Sequence, residues 1–181
     1  MYLGAHLSIA GGVDKSFDRA VELDCTAFQI FTKSNRQWRA NPLKPDEIER
    51  YHGQQAATGI SPVVCHASYL LNLGTPDDAL WHKSIEALVE ELERCEALHI
   101  PTLVLHPGSH VKSGVNAGIV RVAQGLDMVH QRLPDYRVRV ALEITAGQGT
   151  ALGSSFEEVV AIIETTPSYD RLDVCFDTCH A

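Results

Sequence analysis

The sequence holds no Cys-x-x-Cys pair, no apolar run of membrane-spanning length, no composition break that would mark a linker, and no surplus of positive charge. Each absence removes a class of protein. The five cysteines, Cys25, Cys65, Cys95, Cys175 and Cys179, are odd in number and mostly lie in apolar runs. That pattern suits reduced, buried thiols better than a disulfide framework or a cysteine-built metal motif. No segment nears the ~20 apolar residues a membrane helix needs, so no membrane association is expected. The first six residues lack a basic stretch followed by an apolar one, so no secretory signal is read there and a cytoplasmic location is expected. The net charge of −8 argues against sequence-independent adhesion to nucleic acid, which draws its affinity from cations meeting phosphates. Bound divalent cations would alter that balance locally.

What is present is the composition of a folded globular protein, 45% apolar and 21% charged. With no linker, residues 1–181 are expected to form one domain with its own core. Strand and helix signals alternate: strands at 2–5, 27–31, 63–66, 102–106, 138–143 and 172–177, helices at 13–23, 45–58, 77–98, 116–132 and 156–165. No hairpin signal joins the strands, so the units are parallel β-α repeats with helices covering the sheet. Both an open doubly wound sheet and a closed barrel fit this alternation. A complete (β/α)8 TIM barrel runs to about 250 residues, and two more units at the present spacing would approach that. If the closed barrel is the one formed, the chain is an α/β TIM barrel given as about six of its eight β-α units, lacking its C-terminal part; the alternation alone leaves both architectures standing.

Four strands end on a side chain that binds divalent metal: Val63-Val64-Cys65-His66, Leu103-Val104-Leu105-His106, Val140-Ala141-Leu142-Glu143 and Val174-Cys175-Phe176-Asp177. The carboxyl ends of parallel strands converge on one rim, so ligands distant in sequence can meet there. His66, His106, Glu143 and Asp177 form a nitrogen and oxygen set that suits zinc, with manganese and iron as competitors. His180 can turn back to the same rim. Singly, each has an ordinary explanation, a hydrogen-bonded histidine or a helix-capping carboxylate; the recurrence over four strands is what points to a metal centre. His52, His82, His99 and His130 fall in or beside helices among polar residues and are read as surface residues. His110 is read as a loop hydrogen-bonding residue, and Cys179 as a packing residue rather than a thiolate ligand.

Two loops on that rim invite a partner. Thr32-Lys33-Ser34-Asn35-Arg36-Gln37-Trp38-Arg39 brings three cations, an aromatic ring and two amides together, a set able to grip phosphates and stack on bases. The ordinary alternative for that loop is a solvated surface segment with Trp38 tucked into the fold. Ser68-Tyr69-Leu70-Leu71-Asn72-Leu73 is apolar and aromatic where a loop is normally polar, and could wedge into a nucleic-acid groove or simply anchor the next helix. The glycine-rich stretch at 146–153 follows a strand without the dinucleotide-binding spacing, and is read as a tight loop.

Tyr2-Leu3-Gly4-Ala5-His6, Phe31-Thr32-Lys33 with Arg36-Gln37-Trp38-Arg39, His66-Ala67-Ser68-Tyr69-Leu70, His106-Pro107-Gly108-Ser109-His110, Glu143 with Thr145-Ala146-Gly147-Gln148-Gly149, and Asp177-Thr178-Cys179-His180-Ala181 together resemble the endonuclease IV family along the whole chain. The resemblance implies a TIM-barrel DNA repair enzyme with three Zn2+ ions. Such an enzyme cleaves double-stranded DNA on the 5′ side of abasic sites, leaves a 3′-hydroxyl and a 5′ deoxyribose phosphate, and trims blocked 3′ ends. It further implies that His66, His106 and Glu143 hold one zinc, that the catalytic Glu143 bridges to a second held also by Asp177, and that His180 serves the third. Arg36, Gln37, Tyr69 and Leu70 match positions that enter the DNA at the lesion, and the protein is expected to act as a monomer. Ile144 departs from the family's usual polar residue after the glutamate, and the family's remaining ligands lie beyond residue 181. The rival readings are a metal-dependent sugar isomerase or epimerase of the same barrel superfamily and a truncated product that binds metal or DNA but is no enzyme; even in the endonuclease reading, the 181 residues alone are expected not to cut abasic DNA at a useful rate, since part of the ligand set is missing.

Overall fold

The computed structural model describes residues 1–180. Its elements alternate strictly: β1 (His6–Leu7), α1 (Lys15–Glu22), β2 (Phe28–Ile30), α2 (Pro45–Thr58), β3 (Val63–His66), α3 (Asp78–Ala97), β4 (Thr102–Leu105), α4 (Val115–Arg132), β5 (Arg139–Glu143), α5 (Phe156–Thr165), a 3-10 turn (Tyr169–Arg171) and β6 (Leu172–Cys175). Local chemistry sets the helix ends. Pro45 opens α2, and Gly59 closes it in the left-handed region at φ 68°. Asp77 and Ser155 cap α3 and α5 by accepting hydrogen bonds from Leu80 N and Glu158 N.

All six strands are parallel and lie in the sheet in sequence order. A doubly wound sheet reverses its order at a switch point. None occurs here, so every right-handed crossover puts its helix on the same face and the sheet is an arc of a β/α barrel. The helix-facing side chains of the strands, among them Ile30, Cys65, Leu103, Leu105, Val140 and Leu142, are fully buried against Phe17, Leu88, Leu92, Val122, Leu126 and Ile162 of the helices. β6 differs: Val174 and Phe176 on its outward face stay about half exposed, with the Phe176 ring stacked on Phe156 at 5.8 Å.

The first strand lies later than expected, at His6–Leu7 instead of 2–5. Leu3 O and Ala5 O still accept from Ala27 N and Gln29 N, so this segment runs beside β2 without regular pairing. Gly4 explains the close approach, since a Cβ there would lie 1.7 Å from Ala27 O. The histidine reading also needs one correction. His130 is buried instead of exposed, with Nδ1 2.7 Å from Ser168 Oγ, because the polar sequence around it is the outer stripe of α4 while position 130 falls on the inner one. Burial and the nearby Arg171 charge push its pKa down to about 4.

Candidate metal centre

Side chains alternate across a strand, and the register decides which of them share the concave face. His66 pairs with Val104, and Glu143 pairs with Cys175. His106 lies two residues beyond Val104 and Asp177 two beyond Cys175, so His66, His106, Glu143 and Asp177 have the same parity and point inward at the carboxyl rim.

The structure brings these side chains together as two groups that share Glu143. His66, His106 and Glu143 form one; Glu143, Asp177 and His180 form the other. Within each group one ligand atom per residue lies within 4.8 Å of the rest. Glu143 Oε2 is 3.0 Å from both His66 Nε2 and His106 Nε2, while Oε1 faces the other way, 3.5 Å from His180 Nδ1. His180 Nδ1 is in turn 3.6 Å from Asp177 Oδ2 and 2.9 Å from Ile144 O.

The donor chemistry fits a divalent cation in the first group. His66 Nδ1 is 2.7 Å from Ala67 O, and a carbonyl only accepts, so Nδ1 carries the proton. Nε2 then faces the Glu143 carboxylate at 3.0 Å, a contact that a second ring proton or a divalent cation can bridge. Tetrahedral coordination at 2.0–2.1 Å places ligands about 3.4 Å apart, a few tenths of an ångström of expansion. The second group is looser, because in the observed rotamer His180 Nδ1 serves the Ile144 carbonyl.

The electrostatics agree. Burial by itself would raise the Glu143 carboxyl, but hydrogen bonds and charge from His106 and His66 outweigh it and hold the group well below the usual carboxylate range. Around it, burial and then the Glu143 and Asp177 charges push the Cys175 thiol up to about 11 and raise the Tyr69 hydroxyl. Both neighbours stay neutral, and the two carboxylates dominate the local field.

The expected partner loops flank this centre. Arg36 and Gln37 are exposed, and Leu70 is half-buried. Tyr69 is 59% exposed, yet its ring lies 5.0 Å from that of His66 and 5.4 Å from that of His106, centroid to centroid. Trp38 packs partly against the core, with Lys83 Nζ 4.2 Å from its ring centroid. Lys33 is not a surface cation as the run of polar residues suggested; it is buried against Glu90 and Glu91. His110 does hydrogen-bond within its loop, with Nδ1 accepting from Gly114 N. Cys179 is exposed rather than packed, and all five cysteines are free.

His6 also stands on this rim, its ring 4.5 Å from that of Phe31 and 6.3 Å from that of His66. It opens β1, where the others stand at or just past the carboxyl end of a strand, and the weak strand signal around it gave no reason to group it with them. The bridge between Ser109 and Ala151, which ties the loops after β4 and β5, had no sequence signal at all.

Comparison with known proteins gives these features a context. The family model for the xylose isomerase-like TIM barrel matches residues 17–181. A protein of Chloroflexus aggregans called probable endonuclease 4 is 49% identical over 177 residues, covering 98% of this chain and 62% of its own length. The crystal structure of endonuclease IV from Thermus thermophilus superimposes with a TM-score of 0.86 at 40% identity, covering 100% of this chain and 64% of that one. A D-tagatose 3-epimerase-like protein superimposes at 0.79 with 20% identity, a likeness of fold alone. The chain thus spans a little under two thirds of the endonuclease relatives' length.

Proposed function

We propose, from the premise that this chain belongs to the xylose isomerase-like TIM barrel family, that it is a metal-dependent DNA repair endonuclease. It hydrolyses the phosphodiester 5′ to an abasic site, leaving a 3′-hydroxyl and a 5′ deoxyribose phosphate, and trims blocked 3′ ends. Its likeness to proteins called endonuclease 4 supports the endonuclease class, and its own rim supports the finer reading. In this reading His66, His106 and Glu143 hold one Zn2+, Glu143 and Asp177 reach a second, and His180 serves a third; manganese competes for the same donors. The ions, when bound, activate water and offset charge on the phosphate and the leaving oxygen.

The side chains divide the remaining work. Glu143 offers one oxygen to each ligand group and so fixes their separation. Arg36 and Gln37 meet the duplex from one loop, and Tyr69 and Leu70 fill the gap left by a missing base from the other. The protein acts on double-stranded DNA as a monomer in the cytoplasm.

The observation that carries this reading is an exposed aromatic ring beside the buried His66 and the half-buried His106, with an exposed Arg36-Gln37 loop nearby. A small sugar is taken into an enclosing pocket and has no use for such projections. The test uses a duplex with one tetrahydrofuran abasic analogue, Zn2+ and the 181-residue chain. Tighter binding than to the intact duplex, lost on chelation, is expected. Epimerisation of a ketose such as D-tagatose, with no preference for the abasic duplex, would overturn the proposal in favour of the sugar-enzyme reading.

A further inference from the structure

Beneath the two exposed loops lies a buried ionic cluster that metal binding does not use. The Lys33 side chain is 2% exposed and that of Glu91, on α3, is 1% exposed. Lys33 Nζ donates to Trp38 O at 2.8 Å and lies 3.4 Å from Glu90 Oε1 and 3.6 Å from Glu91 Oε1. The same Glu91 oxygen accepts from Ser68 N at 3.0 Å, and Ser68 Oγ donates to Asn35 O at 2.8 Å. Lys33 and Asn35 belong to the loop that carries Arg36 and Gln37, while Ser68 immediately precedes Tyr69. One connected network therefore runs from the loop after β2, through α3, to the loop after β3 and back.

We propose that the buried Lys33–Glu91 pair, together with Ser68, is a positioning device that couples the Arg36–Gln37 loop to the Tyr69–Leu70 loop, so that both meet DNA as one rigid unit. This rests on the function proposed above. A buried ion pair is a poor way to gain stability, because desolvation consumes most of its Coulomb attraction, and its best-attested use is to fix a register or geometry. α3 presents further groups to the same loop: Glu90 Oε1 accepts from Ala40 N, and Arg94 donates to Thr32 O and Asn41 O. The loop after β2 is thus fastened to α3 at both ends, and the loop after β3 is fastened to the same helix through Glu91. Lys33 and Glu91 touch neither substrate nor metal; they act through Arg36 and Tyr69.

The signature of coupling is an effect that crosses from one loop to the other. Amide hydrogen exchange resolved by peptide gives the primary measurement, made on the full chain with Lys33→Met and Ser68→Ala. In Lys33→Met, exchange should rise at least tenfold at residues 67–71. In Ser68→Ala, which is mild enough to fold even if the lysine variant does not, it should rise at residues 33–39. α4 and β5 should keep parental protection in both. Exchange that rises only in the loop carrying the substitution, or nowhere, overturns the coupling. The second measurement is the ratio of affinities for abasic and intact duplex, expected to fall about tenfold in both variants. A parent chain without that preference would sink the functional reading itself, and the exchange data would still decide the coupling. A parent that has the preference, with variants that loosen both loops yet keep it, would show that the coupling does not serve DNA recognition.

Discussion

His66 Nε2 lies 3.0 Å from Glu143 Oε2 although 77 residues separate them in sequence. The two side chains are held that closely only because β3, β4 and β5 are adjacent and staggered, so that the ends of separate strands meet on one face. The arrangement makes Glu143 the hinge of the site.

Substitutions at this site should therefore be unequal. Glu143→Ala is expected to remove zinc from both groups, since the carboxylate gives one oxygen to each, whereas His106→Ala should weaken only the first and Asp177→Ala only the second. Each loss of a direct ligand should exceed the roughly 10–100-fold cost of removing a ligand's hydrogen-bond partner. Metal analysis after dialysis against a graded chelator reads this out. Equal losses in His106→Ala and Glu143→Ala would refute the shared-ligand geometry.

Tyr69→Ala is expected to weaken binding to the abasic duplex by about tenfold and to the intact duplex by much less, because stacking on a base contributes roughly 1–3 kcal/mol and the ring finds room only where a base is absent. Arg36→Ala should show the same asymmetry with a smaller salt dependence. Fluorescence anisotropy at several salt concentrations checks both. Identical losses on the two duplexes would make these residues ordinary phosphate contacts.

Acid should destabilise the fold through His130. Burial lowers its folded pKa to about 4 from an unfolded value of about 6.5, so the unfolded chain binds the proton more readily. The stabilisation is present in full above pH 6.5 and is lost as pH falls toward 4. Its size is up to about 2–3 kcal/mol, from 1.4 kcal/mol per pKa unit with some discount for residual solvation. His130→Asn keeps a polar atom near the position of Nδ1, and should flatten the decline between about pH 6.5 and 4.5 in urea unfolding curves. An unchanged slope there would assign the acid sensitivity elsewhere.

Gly4→Ala should destabilise the chain by about 1–3 kcal/mol, the usual cost of forcing a methyl into filled space. The obstacle is the Ala27 carbonyl, backbone that cannot rotate away. The denaturation midpoint measures it, and a midpoint equal to that of the parent would mean that the N-terminal segment does not pack as described.

The sequence by itself determined whatever depends on local periodicity. The helix at 45–58, the strand at 63–66 and the helix at 156–165 have the bounds that their caps and apolar patterns imply. The rim positions of His66, His106, Glu143 and Asp177 were legible for the same reason, since a residue at the carboxyl end of a strand stands at the rim whatever its partners do. Tertiary structure decided the rest. Local pattern allowed either an open sheet or a barrel, and only the strand order chose between them. Lys33 and His130 sit in polar stretches and read as exposed; neighbours far along the chain, Glu91 on α3 for the one and Ser168 for the other, supply the partners that let them be buried. The division of Glu143 between two ligand groups likewise comes from the stagger of adjacent strands, because register is set by pairing across the sheet and no strand carries it alone.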